Sequence, residues 1–166
     1  MSNDFTLLVP ELVLTAVAFV VLSADLIIAR SNLRQRNDLT ANLAIGGLLL
    51  TLGITLATQW DSSGTISGQL LIIDRYGLLF KTIFMGTGIA VVLMSHDYVG
   101  SKIKNPGEFY ALIVVTVPAS ILMAQSGEML TAYIAIELLS FSLYVLVAIA
   151  RGDARSAEAS VKYILL

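Results

Sequence analysis

The sequence predicts an all-α protein, a polytopic bundle of transmembrane helices. Hydrophobic residues make up 57% of the chain and charged residues only 13%, whereas an ordinary soluble domain carries about 25% charged residues. Five apolar stretches are each long enough to cross a hydrocarbon core of about 30 Å. Seven of the ten lysine and arginine residues lie in alternate connections, after the first, third and fifth stretches, as the positive-inside rule predicts for a multi-span membrane protein.

The predicted spans follow one another along the chain. They cover about Leu7–Ile28, Leu39–Gln59, Tyr76–Met94, Phe109–Gln125 and Met129–Ala150. The first span follows MSND and not a basic segment, so we expect a retained helix and not a secretory signal. Pro118 predicts a kink in the fourth span. A sixth helix begins near Ala157 and the sequence stops inside it at Leu166, so we expect a piece of a longer polypeptide.

Positive residues predict the orientation of these spans. They lie after the first, third and fifth spans, at Arg30, Arg34, Arg36, Lys102, Lys104, Arg151 and Arg155. This distribution predicts that the N-terminus lies outside and that the Arg- and Lys-rich loops lie in the cytoplasm. Between the second and third spans, Ser62-Ser63-Gly64 is typical of a turn and Gln69–Ile73 of a short strand. We therefore expect a short hairpin on the outer face.

Glu137 is the single charged residue of the fifth span and lies near its middle. At about 1.5 Å per residue, this position is close to the bilayer midplane. An ionised carboxylate there costs about 2.5–3.5 kcal/mol, so it normally faces a partner or a water-filled path. Tyr133, Ser140 and Tyr144 are spaced so that they share its helix face. The pattern predicts a proton-carrying site; the alternative is a protonated Glu137 that makes one interhelical hydrogen bond.

Lys162 of the sixth helix is the predicted partner of Glu137. If Ser156 caps that helix, Lys162 is offset from Glu137 by about 10 Å along the membrane normal, a gap that a lysine stem and a water largely bridge. Two charges about 7 Å apart interact by about 2.4 kcal/mol at a dielectric of about 20, so such a pair exchanges protons as a coupled unit. The spacing fits a second interpretation equally well, because Glu158 and Lys162 form an i, i+4 helical ion pair.

The other charges near the spans are expected at the membrane interfaces. Lys81 follows the start of the third span by less than two turns, so its side chain is predicted to reach the outer face, with a supporting role in the relay as the alternative. Glu11 and Asp25 are predicted interface residues at the two ends of the first span. His96 is predicted to lie at a helix end, and no metal site is predicted because it has no partner cluster.

The composition also excludes several kinds of site. The chain has no cysteine and one histidine, which excludes disulfides, thiolate-ligated iron–sulfur clusters and a haem with two histidine ligands within this chain. No glycine-rich nucleotide-binding motif is present. We therefore expect any electron transfer that the protein serves to take place elsewhere.

Several short motifs extend over the whole chain. They are Pro10-Glu11-Leu12-Val13-Leu14, Gly107-Glu108-Phe109-Tyr110-Ala111-Leu112, Ile136-Glu137-Leu138-Leu139-Ser140, Ser142-Leu143-Tyr144, Arg155-Ser156-Ala157-Glu158-Ala159 and Lys162-Tyr163. With these motifs the chain resembles the antiporter-like membrane subunit N of respiratory complex I, NADH–quinone oxidoreductase, called subunit 2 in organelles. The stretch from Ala132 to Leu166 is the most specific part of the resemblance.

The resemblance implies a protein of about fourteen helices, in which two inverted five-helix repeats form proton half-channels. It implies that residues 1–106 hold three N-terminal transmembrane helices with the outer-face hairpin loop. Residues 107–166 would then be the start of the first repeat, truncated in the sixth helix. Glu137 matches the family's membrane glutamate and Lys162 the lysine of its sixth helix, whereas the lysine of the broken seventh helix lies beyond this sequence. Val117-Pro118-Ala119-Ser120 departs from the family's fourth helix, which affects local bending and no motif.

The function implied by the resemblance is proton translocation coupled to quinone reduction, by a non-redox subunit with a buried Glu/Lys relay. The expected location is the bacterial inner membrane, and the expected partners are other membrane-arm subunits and the lipid bilayer, with no nucleic acid. NADH, FMN, iron–sulfur clusters and quinone are expected in other subunits. Two alternatives are a subunit of a multi-subunit Na⁺/H⁺ antiporter or a membrane-bound hydrogenase, and a structural membrane scaffold in which Glu137 only joins helices.

Overall fold

A computed structural model describes residues 7–28, 32–60, 64–66, 68–150 and 154–165. In these ranges the chain forms six helices and one two-stranded hairpin. The elements are α1 Val9–Ile27, α2 Leu33–Gln59, β1 Gly64–Ile66, β2 Leu71–Ile73, α3 Arg75–Lys102, α4 Pro106–Ala124, α5 Met129–Val147 and α6 Ala154–Leu165. Arg30, Arg151 and most of the turn predicted at Ser62-Ser63-Gly64 lie outside the described residues.

The helices α1 to α5 are each long and apolar enough to cross a membrane. This confirms the all-α class and the five predicted spans, and the protein is an integral membrane protein. The helices α2 and α3 are longer than the apolar stretches, since α2 begins at Leu33 instead of Leu39 and α3 ends at Lys102 instead of Met94, whereas α1 and α5 are slightly shorter than predicted. Hydropathy detects only the apolar part of a helix, whereas backbone hydrogen bonding continues through the polar turns at its ends.

Two predicted helix boundaries are wrong for this reason. His96 lies inside α3 and not at its end, and its Nε2 is 3.0 Å from Asp38 Oδ1. Ser156 lies inside α6, which begins at Ala154, and so does not cap that helix from outside. Its hydroxyl instead donates to the Val147 carbonyl at 2.8 Å, which satisfies a free acceptor at the end of α5.

The predicted strand is present as the second strand of the hairpin. Gly64, Thr65 and Ile66 of β1 pair antiparallel with β2. The strand starts at Leu71 and not at Gln69, because Gly68 and Gln69 have φ angles of 73° and 81° and form the turn. Backbone hydrogen bonds from Ile72 N to Gln125 O (2.8 Å) and from Gly127 N to Leu70 O (2.9 Å) fasten the hairpin to the end of α4.

The core lies among α1, α2, α3 and α4, and α5 packs on its edge. Fully buried residues of this core include Leu14, Leu48, Met85, Val92 and Val114. Within the most apolar window of α4, 44% of residues are buried, against 11% for α5. Consecutive helices run in opposite directions, so one end of the bundle carries the hairpin. We call it the hairpin end, and the other the opposite end.

Close packing in this core predicts different effects for two adjacent glycines. A Cβ added to Gly47 of α2 would collide with Val17 of α1, whereas one added to Gly46 meets nothing within 4 Å. Gly47→Ala is expected to destabilise the protein by about 1–3 kcal/mol, because the core has no room for another methyl group. Gly46→Ala is expected to leave the stability unchanged or slightly higher. Thermal unfolding in detergent measures both, and equal melting temperatures of the two variants would contradict the packing.

Candidate functional site

Glu137 lies in the middle of α5, as predicted. It is roughly 12 Å from the start and 15 Å from the end of this helix. Its side chain is exposed on the described chain, and the Tyr133 hydroxyl interacts with it from one turn away. Ser140 and Tyr144 are only partly exposed. Glu137 therefore occupies a face of α5 that the other described helices leave open.

Lys162 does not lie against Glu137. Its Nζ is 2.6 Å from Glu158 Oε1, and the two side chains are 68% and 65% exposed. Within the described ranges no ion pair joins Glu137 to Lys162. Of the two arrangements that the spacing allows, the local i, i+4 pair with Glu158 forms, and the relay role of Lys162 stays a prediction. The Tyr144 ring contacts the Tyr163 ring, with centroids 5.6 Å apart, which holds α6 against α5 next to Lys162.

Lys81 is completely buried, so its predicted reach to the outer interface is wrong. Its Nζ lies 2.6 Å from Glu11 Oε1 and 2.8 Å from Gln59 Oε1. Glu11 is 7% exposed, so the bundle covers its side chain although the residue lies in the first turn of α1, as predicted. A buried ammonium and a buried carboxylate are tolerated when each is paired.

Chain topology brings these residues together at the hairpin end. Glu11 lies in the first turn of α1, Gln59 is the last residue of α2, and Lys81 lies in the second turn of α3. Antiparallel connection of consecutive spans places these positions at one end of the bundle. One signal in the sequence points to this cluster: three polar residues occur at matching ends of consecutive spans.

The cluster is enclosed by further groups. Gln59 Nε2 donates to the Leu7 carbonyl at 2.8 Å. Gln125, which follows the last residue of α4, is 3% exposed and lies against Gly77, one turn before Lys81. An apolar layer from the hairpin and adjacent helices covers this end, formed by Ile66, Leu71, Ile73, Leu7, Leu8 and Leu122. We call Glu11, Gln59, Lys81 and Gln125 the hairpin-end cluster.

A second buried ion pair lies at the opposite end. Arg36 Nε donates to Asp25 Oδ1 at 3.0 Å and its Nη2 to Asp25 Oδ2 at 2.9 Å. Both residues are less than a tenth exposed. Arg36 lies in the first turn of α2, so its predicted place in a loop is wrong. Asp25 lies near the end of α1, as predicted, and its side chain faces the bundle. Gly107 of α4 packs directly against Asp25, in space that a larger residue would occupy.

Hydrogen bonds extend this opposite-end network to α3 and α4. Asn37 Nδ2 donates to the His96 carbonyl at 3.1 Å, and the buried Tyr110 hydroxyl donates to Asn37 Oδ1 at 2.9 Å. The network joins α1, α2, α3 and α4 by polar contacts, so it serves the packing of the bundle. Among the described residues, no group of three or more His, Cys, Asp or Glu side chains is placed to hold a metal ion.

The part of the chain that contains Glu137 and Lys162 matches a known family. Residues 126–166 match the family model described as NADH:quinone oxidoreductase/Mrp antiporter, TM. The whole chain is 32% identical over 166 residues to NADH-quinone oxidoreductase subunit N of Desulforamulus reducens, with 100% of this chain covered. Residues 126–166 are thus similar to this antiporter-like membrane family, and the whole chain is similar to a subunit N relative.

Other subunit N sequences of the family show similar identity. That of Chloroflexus aggregans is 36% identical over 163 residues, with 98% of this chain and 32% of the relative covered. That of Heliobacterium modesticaldum is 33% identical over 165 residues, with 98% and 34% covered. The Desulforamulus protein is covered over 34% of its length. The chain therefore spans about a third of the length of the curated relatives that it matches.

The buried pair at the opposite end predicts a large effect on stability. Arg36→Met is expected to destabilise the protein by about 3–5 kcal/mol, because the Asp25 carboxylate remains buried without its partner. Arg34→Met is the matched control, since Arg34 is exposed in the same first turn of α2, and it should change stability by less than about 0.5 kcal/mol. Thermal unfolding in detergent compares the two, and the double variant Asp25→Asn/Arg36→Met should recover part of the loss. Equal stability of the two single variants would contradict a buried pair.

Proposed function

We propose that this chain is part of a proton-translocating membrane-arm subunit of an NADH-quinone oxidoreductase, and that Glu137 carries the proton. The observation that carries the proposal is the position of Glu137, in the middle of a span and within the residues that match the family model. Relatives named NADH-quinone oxidoreductase subunit N match the chain over nearly its whole length. These names support NADH-quinone oxidoreductase over the Mrp antiporters that the family model also includes.

The surroundings of Glu137 suit proton transfer better than helix packing. A carboxylate at this depth costs about 2.5–3.5 kcal/mol when ionised, so a basic group or water must lie next to it in the membrane. The adjacent Tyr133 hydroxyl can both donate and accept a hydrogen bond. The face around Glu137 is uncovered by the described helices, which leaves room for a basic residue from a further helix.

The ion pair of Lys162 with Glu158 is weak enough for Lys162 to leave it and approach Glu137. An exposed i, i+4 ion pair such as Lys162–Glu158 is worth only about 0.2–0.5 kcal/mol. Breaking the Lys162–Glu158 ion pair therefore costs little free energy. The Tyr144–Tyr163 contact keeps α6 beside α5 while Lys162 moves from Glu158 towards Glu137. We propose that Lys162 passes protons between Glu137 and the opposite end of the bundle.

The remaining chemistry belongs to partner chains in this proposal. NADH, FMN, iron–sulfur clusters and quinone are bound by other subunits, and neighbouring membrane-arm subunits contact this chain in a bacterial inner membrane. The hairpin end faces outward and the opposite end, which carries the exposed Arg34, Lys102, Lys104 and Arg155, faces the cytoplasm.

Replacement of the central carboxylate tests the proposal directly. Glu137→Gln in the full-length subunit is expected to lower proton transfer through this subunit by about 100-fold or more, the usual contribution of one positioned proton-transfer group. The proton-to-electron ratio of the assembled enzyme should fall, while NADH oxidation with an artificial acceptor stays normal. Proton uptake by membrane vesicles during NADH oxidation measures the ratio.

Glu128→Gln is the matched control, because Glu128 precedes the first residue of α5 and is exposed. It should leave the ratio unchanged. An unchanged ratio in Glu137→Gln, with assembly lost in Glu137→Ala, would contradict the proposal and favour a structural scaffold. Vesicle transport that needs a sodium gradient and is independent of NADH would favour the antiporter alternative.

A pair of variants on α6 separates the relay role of Lys162 from its local ion pair. Lys162→Met is expected to lower proton transfer, because the relay loses its ammonium. Glu158→Gln removes only the local partner of Lys162 and should leave proton transfer intact. The same vesicle assay measures both variants. Equal losses of proton transfer in the two would show that the protein needs the Lys162–Glu158 ion pair, and would contradict a relay role for Lys162.

A further inference from the structure

A groove of about 550 Å³ runs along the outer surface of α2 and α3, from the hairpin end towards the middle of the bundle. We call it the α2–α3 groove. Its apolar lining includes Leu56 of α2 and Leu79 and Ile83 of α3, which are between 36% and 54% exposed. Trp60 and Arg75 line the same groove at the hairpin end. The described helices therefore leave an apolar surface with one polar end open to the membrane.

The length of the α2–α3 groove matches one leaflet of a bilayer. Arg75 is the first residue of α3, and Ile83 lies eight residues further along, which corresponds to about 12 Å on a helix. One leaflet contributes about 15 Å to the hydrocarbon core. The apolar part of the groove thus extends over most of the depth that one lipid acyl chain occupies.

Two residues give the groove an end that suits a lipid headgroup. Trp60 directly follows α2 and is 63% exposed, whereas Gln59 of the hairpin-end cluster, one residue earlier, is buried. A tryptophan at a helix end is typical of the membrane–water interface, and its indole N–H is a hydrogen-bond donor. Arg75 is exposed at the start of α3. A guanidinium group binds phosphate with two parallel hydrogen bonds.

The other contacts of Arg75 are compatible with a bound phosphate. Arg75 also interacts with another group of the chain, and a guanidinium with five N–H donors can serve two acceptors at once. The preceding carboxylate, Asp74, is the N-cap of α3 and accepts a hydrogen bond from Gly77 N at 2.6 Å through Oδ1. Asp74 is therefore held at the helix start, and it is not among the residues that line the groove.

Two other grooves lack this combination of charge and shape. A groove of about 430 Å³ among α1, α4 and α5 contains the acidic Glu108, which does not favour a phosphate. A groove of about 240 Å³ on α3, α4 and α5 is lined by apolar and hydroxyl side chains such as Thr87 and Ser120. Among the described residues that line these three grooves, Arg75 is the one cation. Charge complementarity to a phosphate therefore selects the α2–α3 groove.

We propose that the α2–α3 groove binds a phospholipid of the leaflet at the hairpin end. The Arg75 guanidinium and the Trp60 indole hold its phosphate, and one acyl chain lies against Leu56 and Leu79. A transmembrane helix in the same place would bury the guanidinium and would have to supply an acidic residue to pair with it. The lipid site needs only the membrane location of the chain and is independent of Glu137.

Photolabelling tests this site in the full-length protein, purified with the chains that stay bound to it and reconstituted in vesicles. The vesicles contain phosphatidylglycerol with a photoreactive acyl chain. Light should attach the probe to the peptides that contain Leu56, Leu79 and Ile83. Unlabelled phosphatidylglycerol should suppress this labelling. Diacylglycerol with the same acyl chains should compete about 10-fold less well or worse, because it has no phosphate for the arginine.

Paired variants separate the phosphate contact from the acyl-chain contact. Arg75→Gln is expected to weaken competition by phosphatidylglycerol about 10-fold, whereas Arg34→Gln, at an exposed arginine of the opposite end, should not change it. Leu79→Trp fills the groove and should abolish the labelling. Leu93→Trp is the matched control, because Leu93 is 59% exposed on the same helix, against 54% for Leu79, and is not among the groove residues.

The outcomes distinguish a specific site from bulk lipid and from another occupant. Equal competition by the two lipids would overturn binding through the phosphate and would indicate bulk lipid only. Lack of labelling at the groove in the wild type would overturn the site and would indicate that another helix covers it. Circular dichroism checks that the variants are folded. Because labelling is measured without transport, a failure of the Glu137 proposal would leave these results unchanged.

Discussion

Hydrocarbon does not solvate charge, and this constraint governs where the polar residues of the bundle lie. Each buried ion pair joins α1 to a different helix, Asp25 to Arg36 of α2 and Glu11 to Lys81 of α3. A pair of this kind adds little net stability, but loss of one partner is costly. The pairs therefore fix the relative positions of the helices more than they strengthen the bundle. They lie at the two ends of α1, with an apolar core between them.

Polar side-chain contacts join α1 to α4 to one another, whereas the face of α5 that carries Glu137 is not covered by the other described helices. The opposite-end network joins four helices through Asp25, Arg36, Asn37 and Tyr110, and the hairpin covers the other end. α5 contacts this frame on one side and leaves Glu137 on the other. Glu137 is therefore available to a group outside the described helices, as the proposed function requires.

Glu137 and Lys162 show which structural features can be predicted from residue spacing along the chain and which cannot. The mid-helix position of Glu137 follows from counting residues along one span, and the structure places it in the middle of α5. The partner of Lys162 depends on how α6 lies against α5, and two arrangements fit the spacing. The structure has the Glu158 pair, because a contact one turn away on the same helix needs no particular interhelical geometry. The predicted position of the Lys81 side chain is wrong for a related reason, since its partners Glu11 and Gln59 are distant in the sequence.

The sequence by itself determined the membrane class, the number of spans, the hairpin strand and the position of Glu137 in the middle of its span. These follow from length, hydropathy and helical period, which are properties of one segment at a time. Only the tertiary structure decided which charges are buried, which pair with each other, and which face of α5 the other described helices cover. Those outcomes depend on side chains from segments far apart in the chain meeting at one end of the bundle, and a low-dielectric interior makes each such meeting decisive.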